Sequence, residues 1–439
     1  MEPHPSNRSG RQSLLHLNRG ALESYQLSRL NQLLATVMPQ NKFYQDKFDC
    51  DSLQLSSLSD WSNMPMSQKS DWLGSDSSGV AAHHTFNFDH RSDSAYRRYH
   101  RTSGTRGRPM VILDTQQDWQ WWIDTWQYVL DACGIVPSDR IMMAFSFGPF
   151  IGFWSAHDAC LTRGCMVIPS GGMSTAARID LILAAQPTVL FSTPSYATHL
   201  AQDALNRGID LSKSSIRQVF VAGEPGGSVP LIRSKIQSMY AADVMDHAGA
   251  TEIGPWGFGA RDGKALHVIE SEFIAEFIPA ARRTEDDQDI FELVITSLGR
   301  VGAPVLKYRT GDLVRPVKVD DEDCCFIRLQ GGVLGRVDDM MVVRGVNVFP
   351  SSIDAILRSF SKVSDYRLTV TKANALDELV LEVESMADNS TEDERRGLVN
   401  AISEKLSVQL NLRFQVTEVS QGTLPHSEGK AKRIFDRRG

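Results

Sequence analysis

Leucines at positions 14, 15, 17, 22, 27, 30, 33 and 34 recur at helical rather than alternating spacing, so residues 13–38 predict an amphipathic helix with one packed face. From about residue 140 the pattern shifts to short β-rich runs at 141–145, 166–169, 188–192, 218–222 and 243–245, with helix-like stretches at 176–185 and 230–240 between some of them. Strands alternating with helices predict α/β architecture.

Beyond Arg336 the texture changes again. A strand-like run at 341–348 precedes a helix opened by Pro350-Ser351-Ser352, followed by strands at 366–372 and 378–384. Thr391-Glu392-Asp393-Glu394 has the T-x-x-E spacing of a capping box and predicts a helix to about Leu410, before a last strand at 414–419. This β-α-β-β-α-β order suits a small α+β domain of about 100 residues. The division expected is a flexible polar tail over 1–20, a large α/β core over 21–335 and a small mobile α+β domain over 336–439.

A chain of 439 residues exceeds the roughly 250–300 at which one core stops growing, which agrees with at least two domains. Nothing approaches the roughly 18-residue apolar run of a membrane span, and no apolar segment follows the polar start MEPHPSNRSGRQS. Six scattered cysteines make no disulfide framework, so a reducing, cytoplasmic location is expected. A net charge of −7 supplies no general basic field for nucleic acid. The basic end, with Lys430, Lys432, Arg433, Arg437 and Arg438, reads by itself as a solvated terminus.

Four short motifs could carry chemistry. Thr102-Ser103-Gly104-Thr105-Arg106-Gly107-Arg108-Pro109 combines glycines, hydroxyls and arginines in a way that suits a phosphate cradle, though it lacks Walker spacing and equally suits a polar turn. Ala222-Gly223-Glu224-Pro225-Gly226-Gly227 follows a β-rich run, where open α/β sheets bind ligands, and also serves as an ordinary connection. In Asp246-His247-Ala248-Gly249-Ala250-Thr251-Glu252, Thr251 can donate to phosphate and Glu252 can help hold Mg²⁺, or it can be a solvated carboxylate. Asp312, ending Tyr308-Arg309-Thr310-Gly311-Asp312, can accept from the two hydroxyls of a ribose or face water in a turn.

Taken in order, these four, then Gly335-Arg336-Val337-Asp338-Asp339 and Ser427-Glu428-Gly429-Lys430, resemble the adenylate-forming superfamily of acyl-CoA synthetases, in particular its phenylacetate-CoA ligase-like branch. The resemblance runs through almost the whole chain beyond the first 20 residues or so. It implies an ATP-dependent ligase that makes an acyl adenylate and then an acyl-CoA. By the same resemblance, Ser103, Gly104, Thr105 and Gly107 would contact the ATP phosphates, and Gly223, Glu224 and Pro225 would wall the adenine, with Asp246 and His247 nearby. Thr251 would bind the α-phosphate and Glu252 would serve Mg²⁺, while Asp312 and Arg336 would hold the ribose side. Asp338 would be the hinge, Arg344 and Gly345 would line the path of CoA, and Lys430 would be the catalytic lysine.

The acyl pocket implied is bordered by Phe150, Trp154, Ala248, Gly249 and Trp256, which suits an aryl or arylacetic acid such as phenylacetate. The superfamily usually has a tyrosine where Ala248 stands, leaving His247 or Trp256 to support adenine. Relatives often carry a cysteine and histidine zinc cluster; here His267, Cys324 and Cys325 stand with Ala260 where another cysteine would be expected, so free thiols are expected rather than zinc. The partners implied are ATP with Mg²⁺, CoA and a small carboxylic acid, with a homodimer as one assembly and neither nucleic acid nor membrane. An adenylyltransferase acting on a cofactor, a carrier-protein-loading enzyme and a silent nucleotide-binding protein are the rival readings.

Overall fold

A computed structural model describes residues 5–73, 93–102, 110–145, 148–149, 151, 154–283, 289–317, 324–337, 341–343, 346–348, 350–360, 362–373, 376–385, 391–410, 412–420, 422–424 and 433–438. Among these, an eleven-stranded sheet carries the core. One part is parallel, in the order Asp243–Ala250, Gln218–Val221, Val189–Ser192, Arg140–Met143 and Met166–Pro169. Parallel neighbours need crossovers, here including the helices Thr175–Ala185, Pro194–Asn206 and Pro230–Tyr240. With both faces covered, every residue of Val189–Ser192 and Gln218–Val221 is buried, which is why these runs are apolar at all but one terminal position each instead of alternating.

The sheet changes character at Asp243–Ala250. That strand pairs parallel with Gln218–Val221 on one side and antiparallel with Gly254–Gly259 on the other, with a register irregularity between Ala248 and Ala250. The antiparallel part continues through Ala265–Val268, Arg328–Arg336, Tyr308–Val317 and Asp289–Ser297 to Phe273–Arg283. Asp246 to Glu252 therefore lie on and just beyond the strand where the two halves of the sheet meet.

The N-terminal reading needs correction. Residues 8–20 are not a flexible tail: Arg8–Leu15 is a helix capped by Asn7, and Asn18 caps a second helix, Arg19–Val37, so the stretch expected as one helix is broken at 16–18. Arg11 is buried and its Nε lies 2.7 Å from Asp131 on the helix Gln116–Ala132. A polar terminus becomes ordered because its arginine meets a carboxylate 120 positions away in the chain.

A second sheet orders Gln415–Val419, Leu376–Ser385, Val363–Ala373 and Ile434–Asp436 around a separate apolar cluster including Leu357, Leu368, Leu381, Ile402 and Leu406. The capping box is formed: Thr391 N donates to Glu394 Oε2 at 2.9 Å, and Glu394 N donates back to Thr391 Oγ1 at 3.3 Å. The strand expected at 341–348 is instead two short antiparallel strands, Met341–Val343 and Val346–Val348.

The basic end is also more than a solvated terminus. Ile434–Asp436 pairs parallel with Val363–Ala373, and Arg433 and Arg438 meet Asp365 and Asp377 at 2.6 and 3.0 Å. The helix Pro350–Arg358 packs against Pro230–Tyr240 of the larger sheet's layer. Among the described residues, no helix is long and apolar enough to cross a membrane.

Candidate active site

Asp246 sits at the floor of the junction, buried, with Ser228 Oγ donating to its Oδ2 at 2.5 Å and the His247 amide donating to Oδ1 at 3.0 Å. Burial pushes its carboxyl up to about 6, against the hydrogen bonds from Ser228 and His247 and the charge of Arg233. The loop above must approach closely. A Cβ on Gly227 would lie 2.6 Å from the Asp246 side chain, and Gly223 has a φ of +91°, so the glycines of this turn are set by space and by backbone conformation.

Glu224, from the same loop, accepts from the Ser195 amide at 2.7 Å and also from the Ser195 hydroxyl. Those donors belong to the first turn of Pro194–Asn206, where unpaired amides and the helix dipole favour a carboxylate. Glu224 thus ties the exposed Gly223 and Pro225 to the end of the neighbouring strand. Ser195 and Ser228 were not singled out from sequence, because nothing local marks a serine that will meet a carboxylate 18 or 29 positions away.

Thr251 and Glu252 lie in the turn after the junction strand, closed by Ile253 N donating to Ala250 O at 3.1 Å. The Tyr308 hydroxyl donates to Glu252 Oε1 at 3.1 Å, and Arg300 Nη1 donates to the Glu252 carbonyl at 2.6 Å. Arg300 is itself fully buried, pairs with the fully buried Asp114 at 2.6 Å and lies 5.3 Å from the centre of the Trp122 ring. Tyr308 stacks on Trp72 with ring centroids 4.1 Å apart. Burial, and then the charge of Glu252, push the Tyr308 phenol well above its ordinary range, so it remains a donor at neutral pH. Glu252 is therefore held from both its backbone and one carboxylate oxygen.

Four strands along the sheet's antiparallel part, Asp312 pairs in register with Arg336, and Arg336 Nη1 lies 2.8 Å from Asp312 Oδ1. Thr310 Oγ1 accepts from the Asp312 amide at 2.9 Å. On top of burial, the charges of Glu252 and Asp312 push the Tyr308 phenol up, while that of Arg336 pulls it down.

His247 departs from the adenine-side expectation. Side chains alternate along a strand, and its ring turns from the Asp246 side to lie 4.4 Å from Trp126 and 5.5 Å from Phe220. Trp256 is 1% exposed and packed in the main core. Neither ring is presented as an open stacking surface in place of the absent tyrosine at Ala248. Ala248 is buried, Gly249 is exposed beside His247, and half-buried Trp154 donates its indole N–H to Gly148 O at 3.1 Å.

His267 Nδ1 lies 3.1 Å from Phe326 O, and Cys325 Sγ 3.5 Å from Leu14 O. Among the described residues no group of three or more His, Cys, Asp or Glu side chains is arranged to hold a metal. Ser103, Gly104, Thr105, Gly107, Phe150, Asp338, Arg344, Gly345 and Lys430 lie outside the described residues.

Residues 345–438 match the AMP-binding enzyme C-terminal domain. The chain is 29% identical over 430 residues to a phenylacetate-coenzyme A ligase of Pseudomonas putida, spanning 95% of this chain and 94% of that relative. It is also 29% identical over 435 residues to a phenylacetate-coenzyme A ligase of Escherichia coli strain K12, spanning 95% of each. Among solved structures, 2-hydroxyisobutyryl-CoA ligase in the postadenylation state with R3-HIB-AMP superposes with a TM-score of 0.88 at 25% identity, over 97% of this chain and 91% of that one.

Proposed function

The chain is an adenylate-forming, phenylacetate-CoA ligase-like protein, and from that premise we propose that it activates an aryl or arylacetic acid with ATP and transfers the acyl group to the thiol of CoA. It is an AMP-forming acid–thiol ligase. The observation that carries this reading is the end-to-end match to phenylacetate-coenzyme A ligases, with 94% of the Pseudomonas putida relative's length spanned.

The chemistry explains why such residues are wanted. A carboxylate must attack the α-phosphorus of a polyanion, and one charge pair at 4 Å is worth about 4 kcal/mol at an effective dielectric near 20. Glu252 fits the Mg²⁺ that accompanies ATP: one oxygen is fixed by Tyr308, and Oε2 has no hydrogen-bond partner among the described residues. Mg²⁺ is commonly held by one or two carboxylates together with substrate phosphates, and it would supply positive charge at those phosphates. In this reading Thr251 donates to the α-phosphate and Asp312 accepts from the ribose hydroxyls, with Arg336 keeping its carboxylate in place. The Gly223-Glu224-Pro225 turn flanks adenine, with Asp246 beneath it.

The core, with the N-terminal helix Arg8–Leu15 packed on it, and the lid over 336–439 divide the work. Lys430 serves adenylation, and rotation about Asp338 then withdraws it and brings Arg344 and Gly345 to the CoA path. Joint superposition of both domains on a ligase captured after adenylation supports taking the described arrangement as one from that stage. The protein works in the cytoplasm, and a homodimer is its proposed assembly.

The test is pyrophosphate release screened over aryl and aliphatic acids, with and without CoA, followed by mass detection of the thioester. Release with an arylacetic acid and a CoA-dependent thioester are expected. Release without any thioester would point to an adenylyltransferase or carrier-loading enzyme, and no release with any acid would overturn the reading.

A further inference from the structure

His247 is 8% exposed, and its Nδ1 lies 2.7 Å from the Gly257 carbonyl. A carbonyl only accepts, so Nδ1 carries the proton and donates it. Burial lowers the ring to about 4, which leaves it neutral near pH 7 with a bare lone pair on Nε2. That nitrogen takes no hydrogen bond among the described residues, and the ring is flanked by Trp126 at 4.4 Å and Phe220 at 5.5 Å.

The nitrogen points to the exposed backbone at Gly249, where an added Cβ would stand 3.1 Å from it. Glycine here keeps the nitrogen reachable. Its surroundings are the Trp126 and Phe220 rings and the backbone of the next strand, whose Gly254 carbonyl lies 3.0 Å from that same Cβ position; a few polar atoms of fixed role among apolar walls are how small-molecule pockets orient a ligand.

Resting on the acid-activating reading above, we infer that His247 is a specificity-determining residue whose Nε2 accepts a hydrogen bond from a ring substituent of the substrate. The preferred acid is thus an aryl or arylacetic acid bearing a hydroxyl or amino donor on its ring. Water can satisfy Nε2 in the free enzyme. An unsubstituted ring would displace that water and leave a buried acceptor unpaired, whereas a ring donor would replace it.

The experiment compares kcat/KM for pyrophosphate release with phenylacetate, its three ring-hydroxylated isomers and the matching amino compounds, in the wild-type chain, His247→Leu and His247→Gln. In the wild type, the best donor-bearing isomer is expected to exceed phenylacetate by about 10- to 100-fold, the scale of an unmet buried acceptor. His247→Leu should bring that ratio within about threefold of unity, while His247→Gln, which keeps an acceptor, should retain part of it. Because each ratio is taken within one preparation, a smaller folded fraction cancels. The hydroxyl and amino arms identify which donor is used. The inference is overturned if phenylacetate matches every donor-bearing isomer in the wild type, or if the preference survives His247→Leu. Release with aliphatic acids alone overturns it and leaves acid activation standing, whereas no release with any acid overturns both.

Discussion

Tyr308 donates to Glu252 Oε1 at 3.1 Å while its ring lies stacked on Trp72. The phenol belongs to the strand Tyr308–Val317, and the carboxylate to the turn after the strand Asp243–Ala250, so the bond ties the antiparallel half of the sheet to the junction. We predict that Tyr308→Phe will keep the stacking and most of the stability, losing about 1 kcal/mol for one hydrogen bond. It should raise the Mg²⁺ concentration needed for half-maximal pyrophosphate release several-fold. An unchanged Mg²⁺ requirement would remove Tyr308 from any part in orienting Glu252.

Arg300 is the partner that Asp114 cannot lose. Both side chains are fully buried, and burial pushes the Asp114 carboxyl up even against the opposing charge of Arg300. Arg300→Leu should cost about 3–5 kcal/mol in denaturant unfolding, because it strands one buried charge. Adding Asp114→Leu should recover a large part of that loss. Additive losses in the double variant would show that the two act independently.

Lys430→Ala is predicted to slow adenylate formation by about 10²- to 10³-fold, the scale of losing one preorganised stabiliser, and to spare thioester formation from supplied acyl adenylate. The two half-reactions are measured separately, by pyrophosphate release and by thioester appearance. Equal loss in both would sink the assignment of Lys430 to the first step.

The pH dependence of stability should separate His247 from its neighbour. Its folded value of about 4 lies below the ordinary 6.5, so the unfolded chain binds the proton more readily between those values. The His247 contribution is therefore fully present above pH 6.5 and falls as the pH drops through about 4. For Asp246 the sign is opposite: its value of about 6 lies above the ordinary 3.8, so its contribution is full below 3.8 and is lost as the pH rises through about 6. Relative to His247→Leu, the wild type should lose on the order of 3 kcal/mol between pH 6.5 and 4. Parallel stability curves for the two proteins would show that the histidine is not held neutral by burial.

Much of the fold was legible because local signals coincide with the elements. The apolar run from Val219 to Val221, the helix Pro230–Tyr240 with proline in its first turn and the Thr391–Glu394 box all announce themselves through neighbours a few positions apart. The glycine-rich turn at Gly223 was visible for the same reason, and the order of its companion motifs gave the family resemblance. Asp312 and Arg336 were both in view, each inside a short motif, though their pairing across two strands was not.

What sequence alone determined, then, was the α/β class, the change of texture after Arg336, and the residue types assembled near one end of the sheet, all of which follow from periodicity and short-range spacing. Tertiary structure decided the partners. It turned Arg11 from a polar tail residue into a buried ion pair, gave Glu224 to Ser195, gave Glu252 to Tyr308 and Arg300, and turned His247 toward Trp126. The reason is physical: a buried polar group takes whatever partner packing brings within about 3 Å, and that partner is often far away along the chain.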